Sequence, residues 1–328
     1  MADRDHILVT GAGGFIGCHL VRYLKRQGYW VRGVDLRYPD FCPHTADQFF
    51  LLDLRRPEDC LEATRDIDDV YALAADTGGR GFLLSRKVNT TYNNVLMNLH
   101  TLAAAHTRRV KRYLFVSATA IIGDAGPPQS DVISPNIDGA ALLRQHTATL
   151  EQQLLERLCL QARIDYGTEI GVVRLPNVFG PFSPWEGGKE RAPAALCRKI
   201  ALAKLTQTSE VEIWGDGEQI RTFCYIDDCI SALHHAMQAS HPISVIPSPF
   251  APFTINRLAD LIANVAGIQI IKKYLPIPES PRHDTAANTN IPSISAMEPQ
   301  TPIEQALATT YAWVEERVRT RRLALQPV

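Results

Sequence analysis

A short apolar run, Ile7-Leu-Val-Thr10, breaks into Gly11-Ala-Gly-Gly14-Phe-Ile-Gly17 and resumes at once with helical spacing. Leu20, Val21 and Leu24 share one face of that second stretch and Arg22, Lys25 and Arg26 fall off it, so the order is strand, glycine turn, helix. This spacing constrains the chain more than any other feature. Gly11, Gly14 and Gly17 let a backbone approach a pyrophosphate with no Cβ in the way, and the helix beginning at Phe15 and Ile16 presents unpaired N–H groups and a positive dipole end to that anion. Asp35 falls 18 residues after Gly17, at the end of the next apolar run, where a carboxylate can hold an adenosine ribose diol. The same carboxylate would repel a 2′-phosphate, which argues for NAD, although Arg37 two residues later keeps NADP open. Asp53, closing the third apolar run, is placed to meet the adenine amino group or to cap the helix before Pro57.

Further runs of strand length, Trp30–Asp35, Phe49–Asp53, Val70–Ala75, Tyr113–Ser117 and Gly171–Arg174, alternate with helical stretches at Pro57–Thr64, Tyr92–Ala105 and Ala140–Ala162. Buried apolar strands alternating with helices predict an α/β fold, a Rossmann-type doubly wound parallel sheet. After Pro181 the chain becomes rich in proline, at Pro242–Pro252 and Pro276–Pro302, which suggests a smaller C-terminal substrate-binding lobe. The expected division is a nucleotide-binding domain over 1–180, rejoined by 215–240, with 181–328 mainly in the lobe.

The 34 Lys+Arg nearly balance the 35 Asp+Glu, so no bulk charge draws the chain to nucleic acid or an anionic membrane. Arg317, Arg319, Arg321 and Arg322 read as a solvated helix end. Seven cysteines without a CxxC pair fit neither a zinc site nor a complete disulfide framework, and no metal site is expected. The N-terminus lacks the pattern of a signal peptide, and no apolar run of membrane-spanning length follows, so a cytoplasmic protein is expected.

Four blocks carry a resemblance: Thr10–Gly17; Ala74-Ala-Asp-Thr-Gly-Gly-Arg-Gly-Phe82; Asn177-Val-Phe-Gly-Pro-Phe182 with Gly187-Gly-Lys-Glu-Arg-Ala-Pro-Ala-Ala195 and Cys197-Arg-Lys199; and Trp214–Phe223 with Ile226-Asp-Asp228. In these the chain resembles the extended short-chain dehydrogenase/reductase superfamily and, within it, the GDP-mannose 3,5-epimerase family. The match is dense from about residue 7 to 235. It implies a nucleotide sugar, GDP-hexose favoured, as small-molecule partner, NAD as cofactor with Ala74 beside it, and a homodimer through the helices bearing 92–105 and 140–162. It also implies that Gly78 sits at the sugar, that Asn177 hydrogen-bonds the substrate, and that Glu190, Arg191 and Ala192 line the hexose and diphosphate region. Lys199, Gln219 and Arg221 would hold diphosphate and nucleoside, with Arg282 matching a later family arginine. Lys and Arg suit that ligand because it carries two phosphate charges.

The catalytic positions differ. The family passes a sugar hydride to NAD, with a Tyr as base and a Lys four residues on that lowers the Tyr pKa and holds the nicotinamide ribose. Counting back from Arg174 places Ala148 at the Tyr position and Gln152 at the Lys position. No Tyr occurs between Tyr113 and Tyr166, and no Lys between Lys111 and Lys189, so no shift of register restores the pair. The family's proton-exchanging Cys and Lys read Ala120 and Arg191, and a guanidinium does not deprotonate near neutral pH. Ser117 remains. The expectation is a protein that binds NAD and a nucleotide sugar with altered or lost redox catalysis, either a non-redox isomerase or lyase or a catalytically inactive ligand-sensing or partner subunit. Asp76 and Glu190 are candidate carboxylate bases for the former, His146 is expected to be a bystander, and Asp228 to cap its own helix.

Overall fold

The computed structural model describes residues 5–77, 87–118, 147–239, 241–276, 291–295 and 300–324. Gly78, Ala120, His146 and Arg282 lie outside the described residues. In chain order the elements are β1 (His6–Thr10), α1 (Phe15–Arg26), β2 (Trp30–Asp35), β3 (Gln48–Leu51), α2 (Pro57–Ala63), β4 (Asp69–Ala72), α3 (Lys87–Thr107), β5 (Arg112–Ala118), α4 (Thr147–Tyr166), β6 (Glu169–Leu175) and β7 (Asn177–Phe179). There follow α5 (Ala192–Thr206), β8 (Glu210–Trp214), β9 (Ile220–Arg221), β10 (Phe223–Tyr225), α6 (Ile226–Ala239), β11 (Ile243–Val245), β12 (Phe253–Thr254), α7 (Ile255–Ala266), β13 (Ile271–Leu275) and α8 (Ile303–Ala324).

Seven strands form one sheet in the order β11-β6-β5-β4-β1-β2-β3, with each neighbouring pair parallel. The doubly wound α/β architecture expected from the sequence is therefore present, with the chain reversing direction across the sheet between β1 and β4. Ile7, Leu8 and Val9 are buried because β1 is central and covered on both faces. Helices α1 and α6 cover one face and α2, α3 and α4 the other, which yields two apolar clusters, one containing Leu20, Leu24 and Leu233 and one containing Leu102, Leu155 and Cys159.

Helix α4 is fixed to the sheet by Arg174 of β6, whose Nε and Nη2 donate to the two Glu156 oxygens at 2.9 and 2.6 Å. That paired fork, nearly withdrawn from water, sets the rotation of α4 and so the direction of its first turns. Beyond the sheet, α5, α7 and α8 pack on one another, and β8 pairs with β13.

Two expectations change here. Asp228 does not cap its own helix. Its carboxylate accepts the Thr301 backbone N–H at 3.2 Å and the Thr301 hydroxyl at 3.1 Å, so it ties the start of α8 to α6. The arginines near the C-terminus are also more than a solvated end, since Arg321 pairs with Glu186 and Arg322 donates to the Leu205 carbonyl at 2.9 Å. A basic helix end meets carbonyls and carboxylates that α5 and the loop before it leave unpaired, and local charge pattern does not reveal such distant partners.

Candidate functional site

Gly11, with φ +69°, ends β1 in a conformation that favours glycine, and Gly14 is the N-cap of α1 without any side-chain capping bond. The first-turn N–H groups at Phe15 and Ile16 are thus left facing a possible anion. The individual glycines do different work. A Cβ on Gly17 would lie 2.1 Å from the Gly11 carbonyl oxygen, whereas one on Gly14 would meet that oxygen at 3.2 Å. Gly13, which the three-glycine pattern passes over, is as restricted as Gly17, since its Cβ would lie 2.2 Å from the Arg37 carbonyl oxygen.

Asp35 supports this turn directly. Its Oδ2 accepts the Gly13 N–H at 3.0 Å and its Oδ1 the Arg37 N–H at 3.3 Å, while burial pushes its carboxyl up from the usual range against those donors. Ala74 lies across from Gly11, its N–H held by the Thr10 hydroxyl at 3.0 Å. Asp53 stands two residues past the end of β3 rather than closing it. Its carboxylate grips Arg55, with Nε to Oδ1 at 2.9 Å and Nη2 to Oδ2 at 2.6 Å, and the α2 N-cap residue is Arg56.

A cavity of about 470 Å³ opens beside the turn, lined by Gly13, Gly14 and Phe15 together with Asp76, Trp185 and Lys189. A pyrophosphate needs such a cradle, free of Cβ atoms and faced by helix N–H groups, so these residues fit a dinucleotide.

From Asp76 a chain of hydrogen bonds runs to the expected catalytic positions. The Ser117 hydroxyl donates to Gln152 Oε1 at 3.1 Å, and Gln152 Nε2 donates to Glu151 Oε1 at 3.3 Å. Asn94 Nδ2 donates to the same Glu151 oxygen at 2.9 Å, and Asn94 Oδ1 accepts the Asp76 N–H at 2.7 Å. Asp76 Oδ2 then accepts from Asn93 Nδ2 at 3.1 Å, and Lys189 Nζ lies 4.0 Å from its Oδ1. Burial raises the Glu151 carboxyl, and the donors from Asn94, Thr91 and Gln152 oppose that rise. Ala148 is the second residue of α4. Sequence reading did not single out Asn94, Glu151 or Lys189 as functional. The alternation of Asn93-Asn94 with apolar positions in α3 was the one available signal, and the partners that give it meaning lie 17 to 57 positions away.

The expected substrate residues fall into three groups. Asn177, Glu190, Arg191 and Ala192 come together where β7 starts and α5 begins: Arg191 Nη1 donates to Asn177 Oδ1 at 3.3 Å, and Asn177 Nδ2 donates to the Thr222 carbonyl at 3.1 Å. Glu190 is occupied by the Gly188 N–H at 2.6 Å and Arg198 Nη2 at 3.0 Å. Gln219 and Arg221 flank Ile220 on the short β9 segment, Gln219 buried and Arg221 donating to the Ile220 carbonyl at 2.8 Å. Lys199 instead turns to β8, where its Nζ donates to the Glu212 carbonyl at 2.8 Å and lies 5.9 Å from the centre of the Trp214 ring, and burial lowers its pKa.

Residues 7–245 match the profile of the NAD dependent epimerase/dehydratase family. The chain is 32% identical over 323 residues to GDP-mannose 3,5-epimerase 1 of Oryza sativa subsp. indica, covering 98% of this chain and 84% of that protein. It is equally 32% identical over 324 residues to GDP-mannose 3,5-epimerase of Arabidopsis thaliana, covering 98% and 85%. Among solved structures it is similar in fold to the UDP-glucose 4-epimerase of Thermotoga maritima solved with UDP-glucose, with a TM-score of 0.75 at 22% identity over 95% of this chain and 99% of that one. With the glycine turn and the parallel sheet in place and these matches spanning most of its length, the chain belongs to the NAD-dependent epimerase/dehydratase family.

Proposed function

We propose that this protein binds NAD and a nucleotide sugar, GDP-hexose first, and that it lacks the hydride step of its relatives. The observation that carries the proposal is the side chain at Gln152. An uncharged amide, held between the Ser117 hydroxyl and Glu151, occupies the position that the resemblance assigns to a lysine. An amide does not titrate near neutrality and supplies no positive charge to lower a neighbouring phenol or to clamp a ribose. Bound NAD supplies a hydride acceptor. Removing the proton on the sugar hydroxyl still requires a base on the chain, and Ala148 offers none.

Gly11, Gly13, Gly14 and Gly17 with the first turn of α1 hold the pyrophosphate in this reading, and Asp35 the adenosine ribose. Asn177, Arg191 and Arg221 contact the sugar nucleotide, with Lys199 farther along α5. Residues 1–180 with 215–240 serve the cofactor and 181–328 mainly the substrate. A homodimer through α3 and α4 is supported by exposed apolar side chains on both helices, among them Val88, Tyr92, Leu154 and Ile164. Unpaired thiols at all seven cysteines support a reducing cytoplasm. Among the described residues no helix is long and apolar enough to cross a membrane.

A second reading within the same family has one observation in its favour. Asp76 lines the cavity beside Lys189, so a carboxylate and an ammonium are available to move a proton next to an existing carbonyl without any hydride transfer. If that pair is idle as well, the protein is an inactive ligand-sensing or partner subunit. Titration calorimetry with NAD, then with GDP-mannose on the NAD-loaded protein, tests the shared core of these readings: saturable heats for both support it, and no heat for either at millimolar ligand rejects it. Solvent deuterium appearing in a 4-keto nucleotide sugar, with none entering GDP-mannose, selects the non-redox enzyme.

A further inference from the structure

The cavity also holds two cysteines to which the proposed function gives no part. Cys18 and Cys42 both line it, Cys18 from the first turns of α1 and Cys42 from the loop between β2 and β3. Cys18 and Arg22 stand four residues apart and so share one face of α1. Arg22 Nη1 donates to the Cys42 sulfur at 3.9 Å, which seats the loop cysteine against the face that bears Cys18. Both thiols are reduced, and the two interact with each other. The Cys18 thiol donates to the Phe15 carbonyl at 3.3 Å.

This arrangement divides the pair into unlike partners. The neighbouring Cys18 thiol, together with the charge and hydrogen bond of Arg22, brings Cys42 down to about 7 against the opposing effect of burial. Cys18 moves the other way, raised by the Cys42 sulfur and by burial. Cys42 is therefore the sulfur that ionises first and Cys18 the one that keeps its proton, the division of labour that thiol–disulfide exchange uses. All seven cysteines are buried, but Cys18 and Cys42 face the cavity, and Cys60, Cys159, Cys197 and Cys229 are pushed up by their surroundings.

We propose that Cys18 and Cys42 form a thiol–disulfide exchange site at the cofactor cavity, with Cys42 as the attacking thiolate and Cys18 as the resolving thiol. The oxidant is a low-molecular-weight disulfide. The Cys42 thiolate attacks one of its sulfurs, the S–S bond breaks, and the departing thiolate takes a proton from water, leaving a mixed disulfide on Cys42. Cys18 then releases its proton to solvent and attacks the Cys42 sulfur, expelling the second small thiolate. Two protein thiols lose two electrons in total and the small disulfide is reduced to two thiols. The product ties the loop over residues 36–47 to α1 beside Gly13 and Gly14, at the mouth of the cavity.

The test does not depend on cofactor binding. The reduced protein is incubated with 2-hydroxyethyl disulfide near pH 8, blocked with iodoacetamide, digested and mapped by mass spectrometry. The expected product is a Cys18–Cys42 cross-linked peptide that disappears on treatment with dithiothreitol, formed well before any other cysteine reacts. In the Cys18→Ser variant the reaction should stop at a mixed disulfide on Cys42. Alkylation of Cys42 by iodoacetamide should have a pH midpoint near 7 in the wild type, and in Arg22→Gln it should shift upward and slow about fivefold at neutral pH. Both cysteines recovered alkylated after disulfide treatment of the wild type, or faster reaction at Cys60 or Cys197, would overturn the proposal without bearing on NAD binding.

Discussion

The glycine turn lines the cavity directly, whereas Ser117 and Gln152 are linked to it only through hydrogen bonds that run to Asp76, and the two regions are built in opposite ways. At the turn almost everything depends on atoms that are absent: a Cβ at Gly13 or Gly17 would lie about 2 Å from a carbonyl oxygen, and the N-cap of α1 carries no side-chain bond. At the other end everything depends on side chains, and Ser117, Gln152, Glu151, Asn94 and Asp76 satisfy one another in sequence. Shape holds a cofactor, whereas proton transfer needs a particular titrating group. The two requirements are therefore separable, and the hydrogen-bonded chain fixes Gln152 between Ser117 and Glu151.

The largest effect that could break this comparison lies in the turn. Gly17→Ala should cost about 3 kcal/mol of stability, because the new methyl group meets backbone that has nowhere to move. Gly14→Ala should cost about 1 kcal/mol or less while sharply weakening NAD binding, since that Cβ enters the space a pyrophosphate needs. Urea titration of both variants checks the first difference and calorimetry the second. Equal destabilisation by the two would mean that the glycines act only on the fold.

Next in size is the sugar nucleotide. Arg221→Ala should weaken GDP-mannose binding by about 1.5–3 kcal/mol and leave NAD affinity within a factor of two. Competition binding of both ligands to the variant measures this, and parallel losses would show that the two ligands do not use separable parts of the site.

The smallest effect sharpens the other side of the comparison. Glu151 has its carboxyl raised by burial, so the folded protein keeps that proton to higher pH than the unfolded chain does. Its contribution to stability is therefore full below the unfolded-state value and is lost as pH rises through the raised one. Glu151→Gln abolishes this titration while its amide oxygen can still accept from Asn94 and Gln152. The variant should gain stability relative to wild type as pH rises above the ordinary glutamate range, by less than about 1 kcal/mol, because part of the penalty is screened. Thermal melts over that rise in pH decide it, and a constant difference would mean that Glu151 is not a titrating buried group.

The sequence disclosed most of the sheet and the turn because both rest on local regularities. Apolar runs of strand length marked β1, β2, β4, β5 and β6, and the spacing of Asp35 from Gly17 placed a carboxylate that does meet the turn, at the Gly13 N–H. Hidden from it were contacts between distant segments. Asn94 acquires its role only when α3 lies against α4 and the end of β4, and Asp228 reaches Thr301, 73 positions on, instead of its own helix start. Gly13 was overlooked for a different reason, since a spacing rule counts three glycines and cannot tell which of four neighbours faces a carbonyl.

Separation of binding from hydride chemistry is tested most directly by proton NMR of GDP-mannose incubated with NAD and the purified wild-type protein in D₂O. Binding should show as broadened ligand resonances, with no solvent deuterium entering the sugar ring and no epimerised product over many hours. Deuterium appearing at ring carbons of GDP-mannose at the rate of an active epimerase would contradict it.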